Sequence, residues 1–188
     1  LSWYQLTIEP NTMFAYRPPT LPDDDELWDI FEQGHQFLTE AGYQQYETSA
    51  YAKPGFQCQH NLNYWRFGDY LAIGCGAHGK LTFPDGDILR FSKTKHPKGY
   101  LRGEYLYEEK NVEKNDRAFE FFMNRFRLLE AVPKQEFEYY TGLSQSAVKN
   151  QIDFAIQQNY IVETSDFWQI TEHGKLFLNE LLALFLDE

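Results

Sequence analysis

The chain has 188 residues, 43% of them hydrophobic and 18% aromatic, which suits a packed core and excludes a disordered chain. Lys and Arg total 17 against 28 Asp and Glu, and the resulting formal charge of −11 repels phosphate backbones, so nucleic acid is not the expected partner. The longest apolar runs, such as 181-LLALFL-186, are too short to span a bilayer, and Cys58 and Cys75 alone build no disulfide framework, so a reducing cytoplasm is the expected setting.

Alternation in 1-LSWYQLTIE-9 predicts a strand, and no basic, apolar-cored leader precedes it, so the chain is expected to be a later portion of a longer protein. After the Pro-rich loop 17-RPPTLP-22, Asp23 and Glu26 predict a capping box. Leu27, Ile30, Phe31, Phe37, Leu38 and Ala41 then recur at helical spacing, and Gly42 supplies the left-handed stop. A second strand is expected over 43-YQQYETSAYA-52, a loop over 58-CQHNLNYW-65, and a third, more buried strand over 70-YLAIGC-75. Strand, helix and strand in that order predict a parallel crossover unit. Pro84-Asp85-Gly86 predicts a hairpin between Leu81-Thr82-Phe83 and Ile88-Leu89-Arg90.

The charged stretch 108-EEKNVEKND-116 marks the expected boundary between domains 1–107 and 108–188. Past it, a helix is expected from about Arg117 to Glu130, with Phe119, Phe122, Met123, Phe126 and Leu129 on one face. A second helix covers 134-KQEFEYYTG-142 and stops at Gly142, and a third covers 144-SQSAVKNQIDFAIQQN-159 with Ser144 as its cap. Tyr160-Ile161-Val162 and Phe167-Trp168-Gln169-Ile170 form a hairpin, and Thr171 caps a closing helix with Leu176, Phe177, Leu181 and Leu184. That order predicts a winged helix. A DNA reader is not expected, because Lys149 is the only basic residue of the candidate recognition helix and residues 116–188 carry 6 Lys and Arg against 12 Asp and Glu.

Three groups of residues carry candidate chemistry. The segment 58-CQHNLNYW-65 joins an imidazole to flat rings: His60 is either an iron ligand with Tyr64 and Trp65 as walls, or a loop cap. Cys58, His60 and His78 lack zinc-like spacing. Gly74, Gly76 and Gly79 match a dinucleotide pattern literally, but the hairpin material that follows rules out the required helix. They bring backbone close to a ligand or simply make a tight turn. Lys93, Lys95, His96, Lys98 and Arg102 form a locally basic run, suited to carboxylates such as porphyrin propionates or to a solvated hairpin face.

Taken together, 60-HNLNYW-65, 74-GCGAHG-79, 120-EFFMNRFRLLE-130, 141-TGL-143 and 168-WQITEHGKLFLN-179 resemble the C-terminal half of the HemW family of haem chaperones. These are radical S-adenosylmethionine (SAM) proteins related to oxygen-independent coproporphyrinogen III oxidase, and the resemblance covers essentially the whole chain. It implies an α/β fold in which the last strands of a partial TIM-like radical SAM barrel, residues 1–107, precede a helical, winged-helix-like domain, residues 108–188. It implies haem binding at His60, Asn61, Tyr64 and Trp65, with His60 as the metal ligand, and delivery of haem to acceptors such as membrane respiratory enzymes. Leu6, Thr7, Gly74 and Gly76 would lie nearest SAM. The family's Cys-x-x-x-Cys-x-x-Cys motif for a [4Fe-4S] cluster has no counterpart here, so cluster and SAM would belong to the full-length protein. The resemblance also leaves open an oxidase that decarboxylates coproporphyrinogen III, although this chain alone would be inactive.

Overall fold

The computed structural model of the chain describes residues 1–186. It divides into two compact units, Leu1–Cys58 and Gln59–Glu188.

The first unit holds α1 (Met13–Tyr16), α2 (Asp24–Glu40), β1 (Gln44–Glu47) and β2 (Ala50–Ala52). The start of α2 is fixed by the expected capping box: Glu26 N donates to the Asp23 carboxylate at 2.9 Å and Asp23 N donates to Glu26 Oε2 at 3.3 Å. Asp24, Asp25 and Glu26 in the first turn also oppose the helix dipole. Gly42 follows the helix at φ 83°.

The expected parallel crossover does not form. Residues 43–52 are a hairpin rather than one strand, because the Glu47 carboxylate accepts from both Ser49 N and Ser49 Oγ at 3.1 Å and bends the chain back. Of the expected strand 1–9, only Ser2 makes a bridge, antiparallel to Ala50, while the Trp3 indole lies over Gly34, where a Cβ would come within 2.4 Å of the ring. Among the described residues every strand pair is antiparallel, so the barrel strands expected here are not seen as such.

The second unit begins with α3 (Gln59–Trp65), β3 (His78–Thr82), β4 (Ile88–Lys93), α4 (Pro97–Leu101) and β5 (Leu106–Asn111). It continues with α5 (Asp116–Arg125), β6 (Val132–Pro133), α6 (Lys134–Thr141), a 3₁₀ turn (Gln145–Val148) and α7 (Lys149–Gln157). It ends with β7 (Ile161–Glu163), β8 (Phe167–Ile170), α8 (Glu172–Leu176) and α9 (Leu178–Ala183). The strands form two antiparallel sheets, in orders β3-β4-β5 and β6-β8-β7.

The expected hairpin is β3 and β4, turned through Gly86 at φ 89°. Residues 70–75 are not a buried strand: Tyr70 alone bridges, to Lys80, and Leu71 and Ile73 are 70% and 83% exposed. The charged stretch expected to separate domains enters β5, which pairs with β4 from Leu89↔Asn111 to Lys93↔Leu106 and so runs across the 107/108 division. All of β5 is exposed, so no apolar alternation marks it as a strand.

The core gathers Phe121, Phe122, Phe126, Phe137, Trp168 and Phe185. Phe122 stacks on Phe126 at 4.8 Å and on Phe137 at 5.3 Å, and lies 4.3 Å from Phe185. Helix α5 ends at Arg125 rather than near Glu130, which puts Phe121 at the centre and leaves Phe119 and Leu129 at the edge. Ser144 caps no helix by its side chain; its hydroxyl pairs with that of Ser146 at 2.6 Å, and a 3₁₀ turn intervenes before α7. Gly142 at φ 65° and the Thr171 cap, which accepts from Gly174 N at 2.9 Å, are as expected.

Candidate functional site

Helix α3 is built from poor helix formers, two Asn, one His and two bulky aromatics among them, so its context has to hold it. Leu62 is buried, and the following Arg66 grips Glu130 with two hydrogen bonds, of 2.8 and 2.6 Å. The helix closes as a Schellman motif: Gly68 N donates to Asn63 O at 2.8 Å and Phe67 N to Tyr64 O at 3.0 Å. The left-handed residue of that motif is Phe67, at φ 65°, where glycine is usual. The strain is outweighed by complete burial of its ring, 5.6 Å from Phe121 and 5.8 Å from Tyr140. A sequence rule that looks for glycine at the helix end misses this cap, and with it the helix.

One turn apart on α3, His60 and Tyr64 face a shared cleft, their rings 5.4 Å apart and near perpendicular at 74°. The other lining comes from Tyr70, Leu71, Ile73, Ala77 and His78, and encloses about 390 Å³, within the usual range for ligand sites. Tyr64 meets Tyr70 at 6.1 Å, which joins the two walls. Tyr70 is held from behind: Arg90 Nη1 donates to its hydroxyl at 3.0 Å, and Arg90 is itself ion-paired with Glu120. His60 is exposed, its ring turned to the cleft rather than sealed in the protein.

The remaining expected residues divide. Trp65 is outside the cleft lining; it packs against Tyr64 at 4.6 Å and carries the Arg127 guanidinium at 4.6 Å on its ring. Asn61 is half-buried on α3, next to His60 but not in the lining. Asn63 serves the loop, donating to Asp69 O at 2.8 Å. Gly74 and Gly76, at φ 98° and 71°, make the turn before β3, with Gly74 N donating to the Tyr100 hydroxyl and Gly76 N to Thr94 O, both at 3.0 Å. Leu6 and Thr7 are exposed, outside regular structure, in the first unit. Cys58 and Cys75 are free and exposed, and no group of three metal-ligating side chains occurs among the described residues.

The bonds of that glycine turn join the basic run to the strand beside the cleft, but Lys93 follows Ser92, the cross-strand partner of His78, and so points to the opposite face of the sheet from the cleft. Lys93 N donates to Ala77 O at 2.8 Å, and Ser92 pairs across the sheet with His78. Lys93 and Lys95 lie over the rings of Phe91 and Tyr107, both at 5.3 Å, and His96 caps α4 by accepting from Lys98 N at 3.2 Å. Arg102 pairs with Glu104 at 3.3 Å. An imidazole and flat rings along one cleft suit a flat ligand such as an iron macrocycle. Sequence reasoning missed Tyr70, Leu71, Ile73 and His78 as cleft residues; a strand expected over 70–75 would have buried half of that set.

Residues 112–177 match the family model of the HemN C-terminal domain. Over its whole length the chain is 90% identical to the heme chaperone HemW of Haemophilus influenzae and 72% identical to that of Escherichia coli, covering 49% and 50% of those proteins. It therefore spans about half the length of these relatives. It is also 44% identical over 90 residues to the mitochondrial radical S-adenosyl methionine domain-containing protein 1 of Mus musculus, covering 46% of this chain and 20% of that protein. Among solved structures, coproporphyrinogen III oxidase (HemN) of Escherichia coli, a radical SAM enzyme, shares the fold with a TM-score of 0.64 at 15% identity, over 87% of this chain and 42% of that one.

Proposed function

Since this chain belongs to the HemW family, as the half that carries the HemN C-terminal domain, we propose that it supplies the haem-holding surface of a cytoplasmic protein that binds haem and hands it to haem-requiring proteins. Membrane respiratory enzymes are acceptors of the right kind. The observation that carries this reading is the exposed imidazole of His60 one helical turn from the Tyr64 ring, in a cleft walled on its other side by Tyr70, Leu71 and Ile73. Imidazole is a common haem-iron ligand, so His60 is the axial ligand. Tyr64 offers its ring to the macrocycle, Trp65 packs against Tyr64 at 4.6 Å, and Asn61 stands next to His60 on the same helix.

In this reading the chain moves an intact cofactor and no bond of haem is broken. The [4Fe-4S] cluster and SAM belong to the other half of the full-length protein. The segment 108–188 reads as a winged-helix-like module, supported by the order β6, α6, α7, β7, β8.

The test is haem titration of the full-length protein. A Soret band that changes position on His60→Ala is expected; a spectrum indifferent to that substitution removes the assignment. Anaerobic consumption of coproporphyrinogen III by the reconstituted full-length protein would replace the carrier reading with the oxidase.

A further inference from the structure

The cleft holds a second imidazole to which nothing so far assigns a task. His78 is the first residue of β3, is exposed, and its side chain makes no hydrogen bond, ion pair or ring contact among the described residues. Its position follows from sheet geometry. Tyr70 and Lys80 are antiparallel bridge partners, so their side chains share a face of the ladder, and His78, two residues before Lys80, shares it too. The strand side of the cleft thus presents Tyr70 and His78 as a diagonal pair, while the helix side presents His60 and Tyr64 one turn apart. Each of the two elements that line the cleft therefore contributes one imidazole, with the Tyr64 and Tyr70 rings in contact between them.

An iron macrocycle has two axial positions, one on each face. A ring lying between a helix that offers one imidazole and a strand that offers another meets a nitrogen donor on both faces. We propose that His78 is the second axial ligand, so that haem is held between His60 and His78 in six-coordinate form. This rests on the haem-binding reading above. Its chemical sense is that of a carrier: with both axial positions filled by protein nitrogen, no open site remains to bind dioxygen while the cargo is in transit. His78 follows the Gly74–Gly76 turn, which is bonded to the Tyr100 hydroxyl and to Thr94 O and is closed by Ala77 N donating to Gly74 O at 3.4 Å.

The experiment is optical and electron paramagnetic resonance spectroscopy of ferric haem on the full-length protein and on its His78→Ala and His60→Ala variants. The expected result is a low-spin, six-coordinate spectrum for the unaltered protein. His78→Ala should lose that signature, become high-spin while still binding haem, and regain the low-spin spectrum when free imidazole is added. A low-spin spectrum that survives His78→Ala, or a high-spin spectrum for the unaltered protein, overturns the role of His78. If His60→Ala still alters the spectrum in that case, the cleft stands as the haem site. Indifference to both substitutions sinks the haem site and this inference together. Because His78 is exposed, an unchanged thermal melt of His78→Ala serves as the folding control.

Discussion

The Nζ of Lys80 lies 4.2 Å from the centre of the Phe67 ring and donates to the Phe67 carbonyl oxygen at 2.9 Å. One buried ammonium thus holds both the ring and the backbone of the residue that ends α3 in a left-handed turn. Lys80 also donates to Asp69 Oδ1 at 2.8 Å and to Thr82 Oγ1 at 2.9 Å, and Thr82 N donates to Asp69 Oδ2 at 2.8 Å. The bridge that aligns Tyr70 with Lys80 therefore sits on the same polar network that caps the His60 helix.

This network predicts an asymmetry between its two charges. Lys80 is 1% exposed whereas Asp69 is 39% exposed. Asp69→Ala strands a buried ammonium and should cost about 3 kcal/mol, while Lys80→Met fills the same space with an apolar chain and leaves a carboxylate that water can reach, at a cost of about 1 kcal/mol. Denaturant unfolding of the two variants checks the order; equal losses would mean that the pair acts through shape alone.

Acid stability should follow three carboxylates. In Glu163 the hydrogen bond from Lys134, 2.8 Å away, outweighs burial and holds the group below the usual carboxylate range. In Asp69 and Glu130 burial pushes up, but hydrogen bonds from Lys80 and Thr82, and from Arg66 and Arg125, more than reverse it. Each group is lower in the folded state, so its stabilisation is present above the unfolded value near 4 and is lost as pH falls through the folded value. Trp168 Nε1 donates to Glu163 at 2.9 Å, so its indole proton resonance reports that titration. In Lys134→Met the midpoint should move to higher pH; an unmoved midpoint would acquit Lys134.

Gly174 is predicted to be irreplaceable on steric grounds. A Cβ there would stand 2.0 Å from the carbonyl oxygen of Tyr160, which itself accepts from Thr171 N at 2.9 Å. Gly174→Ala must move α8 off the start of β7, at a cost of about 2–3 kcal/mol. Gly86 is the comparison: a Cβ meets nothing within 4 Å, and only its φ of 89° resists, so Gly86→Asn should cost about 1 kcal/mol. Thermal melts followed by circular dichroism give the ranking.

Arg90→Gln should loosen the strand wall of the cleft without altering His60 or His78. It removes the bond to the Tyr70 hydroxyl and the ion pair with Glu120. Haem affinity of the full-length protein is expected to fall about fivefold, the equivalent of roughly 1 kcal/mol, with the axial-ligand spectrum unchanged. A changed spectrum would mean that Arg90 positions an iron ligand.

What the sequence by itself determined was local. The Asp23–Glu26 box, the Gly86 turn, the Gly142 stop and the Thr171 cap each close within a few residues, so their residue types are enough to locate them. The residue types of the candidate site, an imidazole followed by two rings, were equally legible, although of these only His60 and Tyr64 line the cleft. Only the tertiary structure decided that 59–65 is a helix, because what secures it is the burial of Leu62, a left-handed Phe67 and a bond from Arg66 to Glu130, 64 residues away. It also decided that 70–75 bends around a cleft and that 106–111 is a strand, since an exposed strand bonded only through its backbone leaves no pattern in its side chains. His60 and His78 come to one cleft for the same reason: the contacts that bring a helix to a strand belong to residues other than the ones they bring together.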